Sequence, residues 1–108
     1  MTRGIPVRLD IDVENRFLAA DQMQYNTLAE LRGGDLADQV VMFGAHLDSW
    51  HSGTGATVNG AGTVAMMEAM RILKRLNLPM RRTVRVALWS GEEVGHQGSR
   101  GWISKIAS

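Results

Sequence analysis

The chain has 108 residues, with 12 lysines and arginines against 11 aspartates and glutamates, so its formal net charge is +1. This near balance gives no electrostatic reason to expect nucleic acid or an anionic membrane surface as a partner. Hydrophobic residues make up 44% of the chain, as in a globular domain, and the absence of cysteine excludes disulfides and thiolate metal sites.

Two segments near the N-terminus have strand patterns. Within residues 7–17 apolar side chains alternate with polar ones from Val7 onward, and this period of two predicts a half-buried strand. Residues 25–31 predict a second, weaker strand, which the glycines at 33 and 34 end. We expect the two strands to pair as an antiparallel hairpin at one edge of a sheet.

The middle of the chain predicts a βαβ unit. Residues 40–45 form a continuous apolar run, which is typical of a central strand covered on both faces. Residues 60–77 have the period of a helix that ends at Pro79, residues 83–90 alternate as a further strand, and a short helix begins near Ser99. Strand, helix and strand at these lengths indicate a parallel pair. The predicted fold class is therefore α/β.

Polar residues follow both strands of the predicted parallel pair. His46 and Asp48 come after the first strand, and Glu92 and Glu93 come after the second. An imidazole with a nearby carboxylate suits a metal ligand and its orienting group, but the same residues occur in ordinary strand-end turns. Adjacent carboxylates suit a general base beside a cation ligand, or else a solvated acidic turn. Taken singly, each pair leaves both interpretations open.

The glycine-rich loop at residues 53–62 does not match a phosphate-binding motif. Ala61 and Gly62 stand where a P-loop needs Lys and Ser or Thr, and Val58 occupies the third glycine position of a dinucleotide fingerprint. The remaining histidines, His51 and His96, are expected to be loop residues without a metal role.

Three motifs in order carry a resemblance to a known family. They are AHLDS at residues 45–49, GATVNGAG at residues 55–62 and WSGEE at residues 89–93. Together they resemble the zinc exopeptidases of family M28, most closely the carboxypeptidase Q-type branch, from about Val7 to the C-terminus. The resemblance implies a three-layer α/β/α domain with a mixed sheet. Residues 1–108 would then be a single partial domain, the first half of that unit.

The same resemblance implies roles for individual residues. His46 corresponds to a ligand of one zinc and Asp48 to the group that orients it. Glu92 corresponds to the general base that activates a water, and Glu93 to a ligand of the other zinc. The implied reaction is the hydrolysis of peptides or dipeptides, from either the amino or the carboxyl end.

Val58 departs from the family pattern, which has at this position the Asp that bridges both zincs. Valine offers no lone pair, and two divalent ions about 3.5–4 Å apart, as in two-metal sites, repel by on the order of 20 kcal/mol at an effective dielectric near 20. We therefore expect one weakly bound zinc or none. The family's later ligands, an Asp and a His, have no candidate after His96, so we expect the isolated chain to be inactive.

The alternative function is a non-catalytic scaffold that has lost its metal site. A sheet cut at a normally interior strand would expose an edge and apolar faces, so we expect the chain to form homo-oligomers, to swap elements with a copy of itself or to need a partner chain. Such a scaffold would be a truncated or engineered chain. No apolar run reaches the length of a membrane span, and the N-terminus lacks the apolar core of a signal peptide. Neither nucleic acid nor membrane is expected as a partner. The compartment stays open, although the resemblance includes exported relatives.

Overall fold

The computed structural model describes Gly4, residues 6–16 and residues 23–107. Three strands and two helices follow one another in this part of the chain. In chain order they are β1 (Thr27–Leu31), β2 (Leu36–His46), α1 (Gly62–Leu76), β3 (Arg82–Trp89) and α2 (Gln97–Ile106). A short helical turn, Ala56–Ala61, runs directly into α1. The chain is thus an α/β chain, as predicted.

The three strands form one mixed sheet in the order β1-β3-β2. β3 pairs in parallel with β2 and antiparallel with β1. Helix α1 connects β2 to β3 and packs against both, so the predicted βαβ unit is confirmed. Because β3 has a neighbour on each side, it carries the buried hydrophobic residues of the described part, Val86, Ala87 and Leu88.

The central strand is β3, and the prediction that residues 40–45 would form the covered central strand was wrong. Val40 and Val41 are 41% and 50% exposed. Within the described residues β2 has a strand partner on one side only. An apolar run indicates that a strand can be buried, but the pairing with β1 decides that β3 takes the middle position.

The predicted N-terminal hairpin is also wrong. Residues 6–16 form no strand, Phe17 lies outside the described residues, and Val7 and Val13 are 78% and 73% exposed. β1 lies within the predicted range 25–31 and is antiparallel, but its partner is β3. Alternating side chains give a segment the capacity to form a strand, whereas pairing needs a free edge of N–H and C=O groups, and β1 finds that edge on β3.

Glycine at position 44 allows β2 and β3 to approach closely. A Cβ at this position would lie 2.3 Å from the carbonyl oxygen of Ala87 on the paired strand. Towards the other end of the strand pair, the buried Thr83 hydroxyl donates to the carbonyl of Ala37 at 2.7 Å and accepts the N–H of Gly33 at 3.2 Å. These contacts fix the register that brings the strand ends together.

The ends of α1 follow from local sequence. A Cβ at Gly62 would lie 2.4 Å from the side-chain oxygen of Asn59, so a larger residue at the start of the helix would displace the Asn59 side chain. It ends at Leu76, where Asn77 adopts a left-handed conformation with φ of 48°, and Pro79 follows. No helix within the described residues combines the length and the hydrophobicity of a membrane span.

Candidate metal centre

The carboxyl ends of β2 and β3 lie side by side. His46, the last residue of β2, pairs with Trp89, the last residue of β3, and the N–H of Leu47 donates to the carbonyl of Trp89 at 2.7 Å. The turn after β3 then brings Glu92 and Glu93 beside His46. One ligand atom from each of these three side chains lies within 4.8 Å of the others. Parallel strands place polar groups together in this way at their carboxyl ends.

The imidazole of His46 is held in one orientation and one tautomer. Its Nδ1 lies 3.0 Å from the main-chain oxygen of Asp48. Because a carbonyl oxygen only accepts, Nδ1 is the donor of this hydrogen bond, and in the neutral imidazole Nε2 is then the nitrogen with the lone pair. Nε2 lies 3.9 Å from Oε2 of Glu92. The main-chain oxygen of His46 is fixed as well, since Asn59 and Thr63 donate to it at 3.2 and 3.0 Å.

The carboxylate of Asp48 anchors the turn that carries both glutamates. Its Oδ1 accepts the backbone N–H of Glu92, and its Oδ2 accepts that of Glu93, each at 3.1 Å. Burial has the largest single effect on this group and opposes its ionisation. The hydrogen bonds from these two N–H groups and its own, with the charge of His46, outweigh burial and lower the pKa of Asp48 below its usual value.

Asp48 therefore differs in detail from the orienting group that the resemblance implies. Its main-chain oxygen makes the closer contact with the His46 ring, at 3.0 Å, while its Oδ1 lies 3.5 Å from the same Nδ1. The carboxylate itself serves chiefly the backbone of Glu92 and Glu93. One residue thus orients the histidine and positions the two acids.

Val58 lies in the turn that precedes α1. Its side chain is 49% exposed and offers no ligand atom, and its main-chain oxygen accepts a hydrogen bond from the hydroxyl of Ser49. The peptide bond from Val58 to Asn59 is cis. Asn59 contacts the main chain of His46, so Val58 lies one residue from the support of the candidate ligand.

His96 is the residue of this region that the sequence analysis missed. It immediately precedes α2, and its Nδ1 lies 3.0 Å from Oε1 of Glu92. The i, i+4 spacing of Glu92 and His96 is the signal that would have found it. From the sequence His96 is expected to lie in a loop, where an i, i+4 spacing does not predict a contact.

A cavity of about 270 Å³ is lined by Glu93, one of the three candidate ligands. Asp48 and Glu93 border it on the polar side, and Trp50 and Val94 supply apolar surface. His51 also lines this cavity, outside the cluster of ligand atoms. A dissolved ion or a small ligand therefore has direct access to Glu93.

The donors fit a zinc ion. Imidazole nitrogen and carboxylate oxygen are common zinc ligands, with metal–ligand distances of about 2.0–2.2 Å. Three such atoms within 4.8 Å of one another are close enough to be candidate ligands of one ion. Within the described residues this is the one group of three or more such donors, and it suffices for one ion.

In comparisons with known proteins, this chain matches peptidases. A sequence model described as peptidase family M28 matches residues 26–108. The chain is 44% identical over 79 residues to carboxypeptidase Q from Xenopus laevis, which covers 73% of this chain and 17% of that protein. It is 32% identical over 99 residues to leucine aminopeptidase 2 from Trichophyton rubrum, covering 92% of this chain and 19% of the relative.

Among solved structures, the crystal structure of a peptidase M28 precursor from Shewanella amazonensis SB2B matches with a TM-score of 0.64 and 44% identity. The match covers 75% of this chain and 18% of that chain. The chain thus spans about a fifth of the length of the relatives that it matches.

Proposed function

This chain belongs to peptidase family M28, and on that premise we propose that it carries part of the active centre of a zinc-dependent exopeptidase that hydrolyses peptides or dipeptides. The observation that carries the proposal is the convergence of His46, Glu92 and Glu93, whose ligand atoms lie within 4.8 Å at the ends of two parallel strands. The relatives bear the names of carboxypeptidases and of aminopeptidases, so the proposal includes cleavage from either end of the peptide.

His46 and Glu93 are the proposed zinc ligands. His46 offers Nε2, because its Nδ1 proton is engaged by the main-chain oxygen of Asp48. Glu93 offers a carboxylate oxygen on a backbone that Asp48 holds at 3.1 Å. Zinc, when bound, polarises the scissile carbonyl and lowers the pKa of water to near 7.

Glu92 is the proposed general base. Its Oε2 faces His46 at 3.9 Å, and its backbone N–H is held by Asp48. In this role Glu92 accepts the proton of the attacking water at Oε2 and returns it to the leaving amine when the peptide bond breaks. Asp48 serves both glutamates, since one carboxylate fixes the main chain on which both side chains stand.

Val58 limits the capacity of this centre to bind zinc. The resemblance places a bridging carboxylate at this position, and the valine side chain provides no oxygen. We propose that the chain binds one zinc weakly and that it has no peptidase activity by itself. The described residues contain one cluster of candidate donors, which supports a single ion.

A self-associating scaffold is the alternative function, and the exposed apolar surface favours it. Val41 is 50% exposed on β2, which has one strand partner among the described residues, and Leu9 and Ile11 are 76% and 73% exposed. Free strand edges and apolar side chains promote pairing between copies.

Zinc titration calorimetry on the metal-stripped chain tests the proposal, with the oligomeric state measured in the same buffer. We expect one zinc per chain with micromolar or weaker affinity. The His46→Ala variant should lose that binding, and the matched imidazole deletion His51→Ala should keep it. Binding that survives His46→Ala would overturn the proposed centre. A dimer or larger species that binds no zinc would establish the scaffold instead.

A further inference from the structure

Glu92 lies between two imidazoles, one on each oxygen of its carboxylate. Nδ1 of His96 lies 3.0 Å from Oε1, and Nε2 of His46 lies 3.9 Å from Oε2. From this arrangement we propose that His96 is a positioning residue, which holds the carboxylate of Glu92 towards the metal centre. The inference rests on the function proposed above and adds a residue that acts through Glu92.

The shorter of the two contacts restrains the rotation of the carboxylate. With Oε1 engaged by His96, Oε2 stays on the side of His46, where the proposed ion and the attacking water would lie. The Glu92 side chain is 29% exposed, so neighbouring protein atoms cover most of it. Polar partners that orient the carboxylates of a metal site contribute to metal affinity and to activity.

The backbone of His96 is itself held in place. Its φ of 58° is left-handed, which is uncommon for a residue other than glycine. Its N–H donates to the main-chain oxygen of Glu92 at 2.9 Å, and its own carbonyl accepts the N–H of Arg100 at 3.0 Å and the hydroxyl of Ser99 at 3.2 Å. The ring therefore projects from a fixed point at the start of α2.

The imidazole is 63% exposed, so packing contributes little to its position. Its effect on Glu92 must then pass through the polar contact rather than through the core. The role of His96 can therefore be tested without unfolding the chain, because replacing the ring removes little buried surface. We expect His96→Leu to keep the fold and to weaken zinc binding about fivefold. This is less than the roughly ten- to hundredfold effect of partners that orient direct ligands, because Glu92 is not itself a proposed ligand.

The experiment is a double-mutant cycle on the full chain, with the dissociation constant of zinc measured by calorimetry. The four proteins are the parent, His96→Leu, Glu92→Gln and the double variant. If His96 acts through Glu92, His96→Leu weakens binding about fivefold in the parent and less than twofold in the Glu92→Gln background. His96→Asn, which keeps a side-chain N–H close to the position of Nδ1, should restore most of the affinity.

The outcomes separate this inference from the proposed function. Equal losses in both backgrounds, or no loss in either, overturn the role of His96 while His46→Ala still abolishes binding. Zinc binding that does not require His46 overturns the proposed function itself. If the parent binds zinc too weakly to measure, the same cycle is run in the Val58→Asp background, and absence of binding there overturns both. Amide spectra of each variant verify that the fold is intact.

Discussion

The carboxylate of Asp48 accepts the backbone N–H of Glu92 at 3.1 Å, across 44 positions of the sequence. Its second oxygen accepts the N–H of Glu93 at the same distance. A single side chain thus links the end of β2 to the turn after β3 by hydrogen bonds. The candidate ligands stand on main chain that is fixed at both strand ends, which is the support that a preorganised site needs.

Replacing Asp48 by Asn should weaken both the fold and the metal centre. Asparagine keeps one acceptor oxygen and loses the charge, so one of the two backbone N–H groups loses its partner. We expect the free energy of unfolding in urea to fall by about 1–3 kcal/mol. Asp35→Asn is the matched control, because Asp35 pairs with Arg81 on the exposed surface. An equal loss in the two variants would contradict the anchoring role of Asp48.

The Asp35 pair itself predicts a dependence of stability on pH. The hydrogen bonds from Arg81 lower the pKa of Asp35, although desolvation opposes them. Since the folded-state pKa lies below the unfolded one, the pair stabilises the fold above about pH 4 and loses this contribution as the pH falls through the folded-state pKa. Between pH 4 and pH 3, the urea midpoint of the parent should fall more steeply than that of Asp35→Asn. Parallel curves would show that the pair contributes nothing to stability.

Val58→Asp should restore a missing anion. We expect zinc affinity to rise at least tenfold, because a carboxylate at this position corresponds to the bridging ligand that the resemblance implies. Calorimetry measures the change, and Val64→Asp adds the same charge to an exposed position of α1, where the valine is 63% exposed. If both substitutions change zinc binding equally, the assignment of position 58 is wrong.

Glu92 and Glu93 should respond differently to loss of charge. Glu93→Gln removes a proposed ligand and should weaken zinc binding about a hundredfold, whereas Glu92→Gln removes a neighbouring anion and should cost about tenfold. Glu68→Gln, on the exposed face of α1, should have no effect. A larger loss for Glu92→Gln than for Glu93→Gln would exchange the two roles.

Two glycine substitutions should change the free energy of unfolding in opposite directions. Gly44→Ala drives a Cβ to 2.3 Å from the carbonyl of Ala87, so β2 and β3 must separate and the free energy of unfolding should fall by at least about 2 kcal/mol. Gly101 lies inside α2 with open space at its Cβ, and Gly101→Ala should stabilise the chain by about 0.5–1 kcal/mol. Urea titrations of the two variants against the parent measure both changes. A neutral Gly44→Ala would show that the strands are less closely packed than the sheet indicates.

The local elements of this fold could be predicted from the sequence, and their partners could not. The boundaries of α1 and β3 follow from helical and alternating periods that a short window contains. The failure at Val7 and at Val40 has one cause, since the choice of neighbour depends on which edges are free in three dimensions. Residues 6–16 have the pattern of a strand and no strand partner among the described residues.

The candidate site shows the same division. The meeting of His46 with Glu92 and Glu93 was predictable, because each follows a strand of a parallel pair and such strands end at the same edge. The contact of His96 with Glu92 depends on the left-handed backbone at His96, and the i, i+4 spacing of the two residues does not by itself predict that conformation. The double hydrogen bond of Asp48 likewise requires the register of β2 and β3.

The position of β3 between β1 and β2 has a consequence for synthesis on the ribosome. β3 is the last of the three strands to be translated, and among the described residues β1 and β2 each pair with it alone. Thr27 pairs with Leu88, and Val41 pairs with Val84, so neither has its partner until β3 is translated. The growing chain therefore carries two unpaired strands until Trp89 has left the exit tunnel. Both the sheet and the metal centre depend on residues translated after α1, so a chain interrupted before β3 would contain neither.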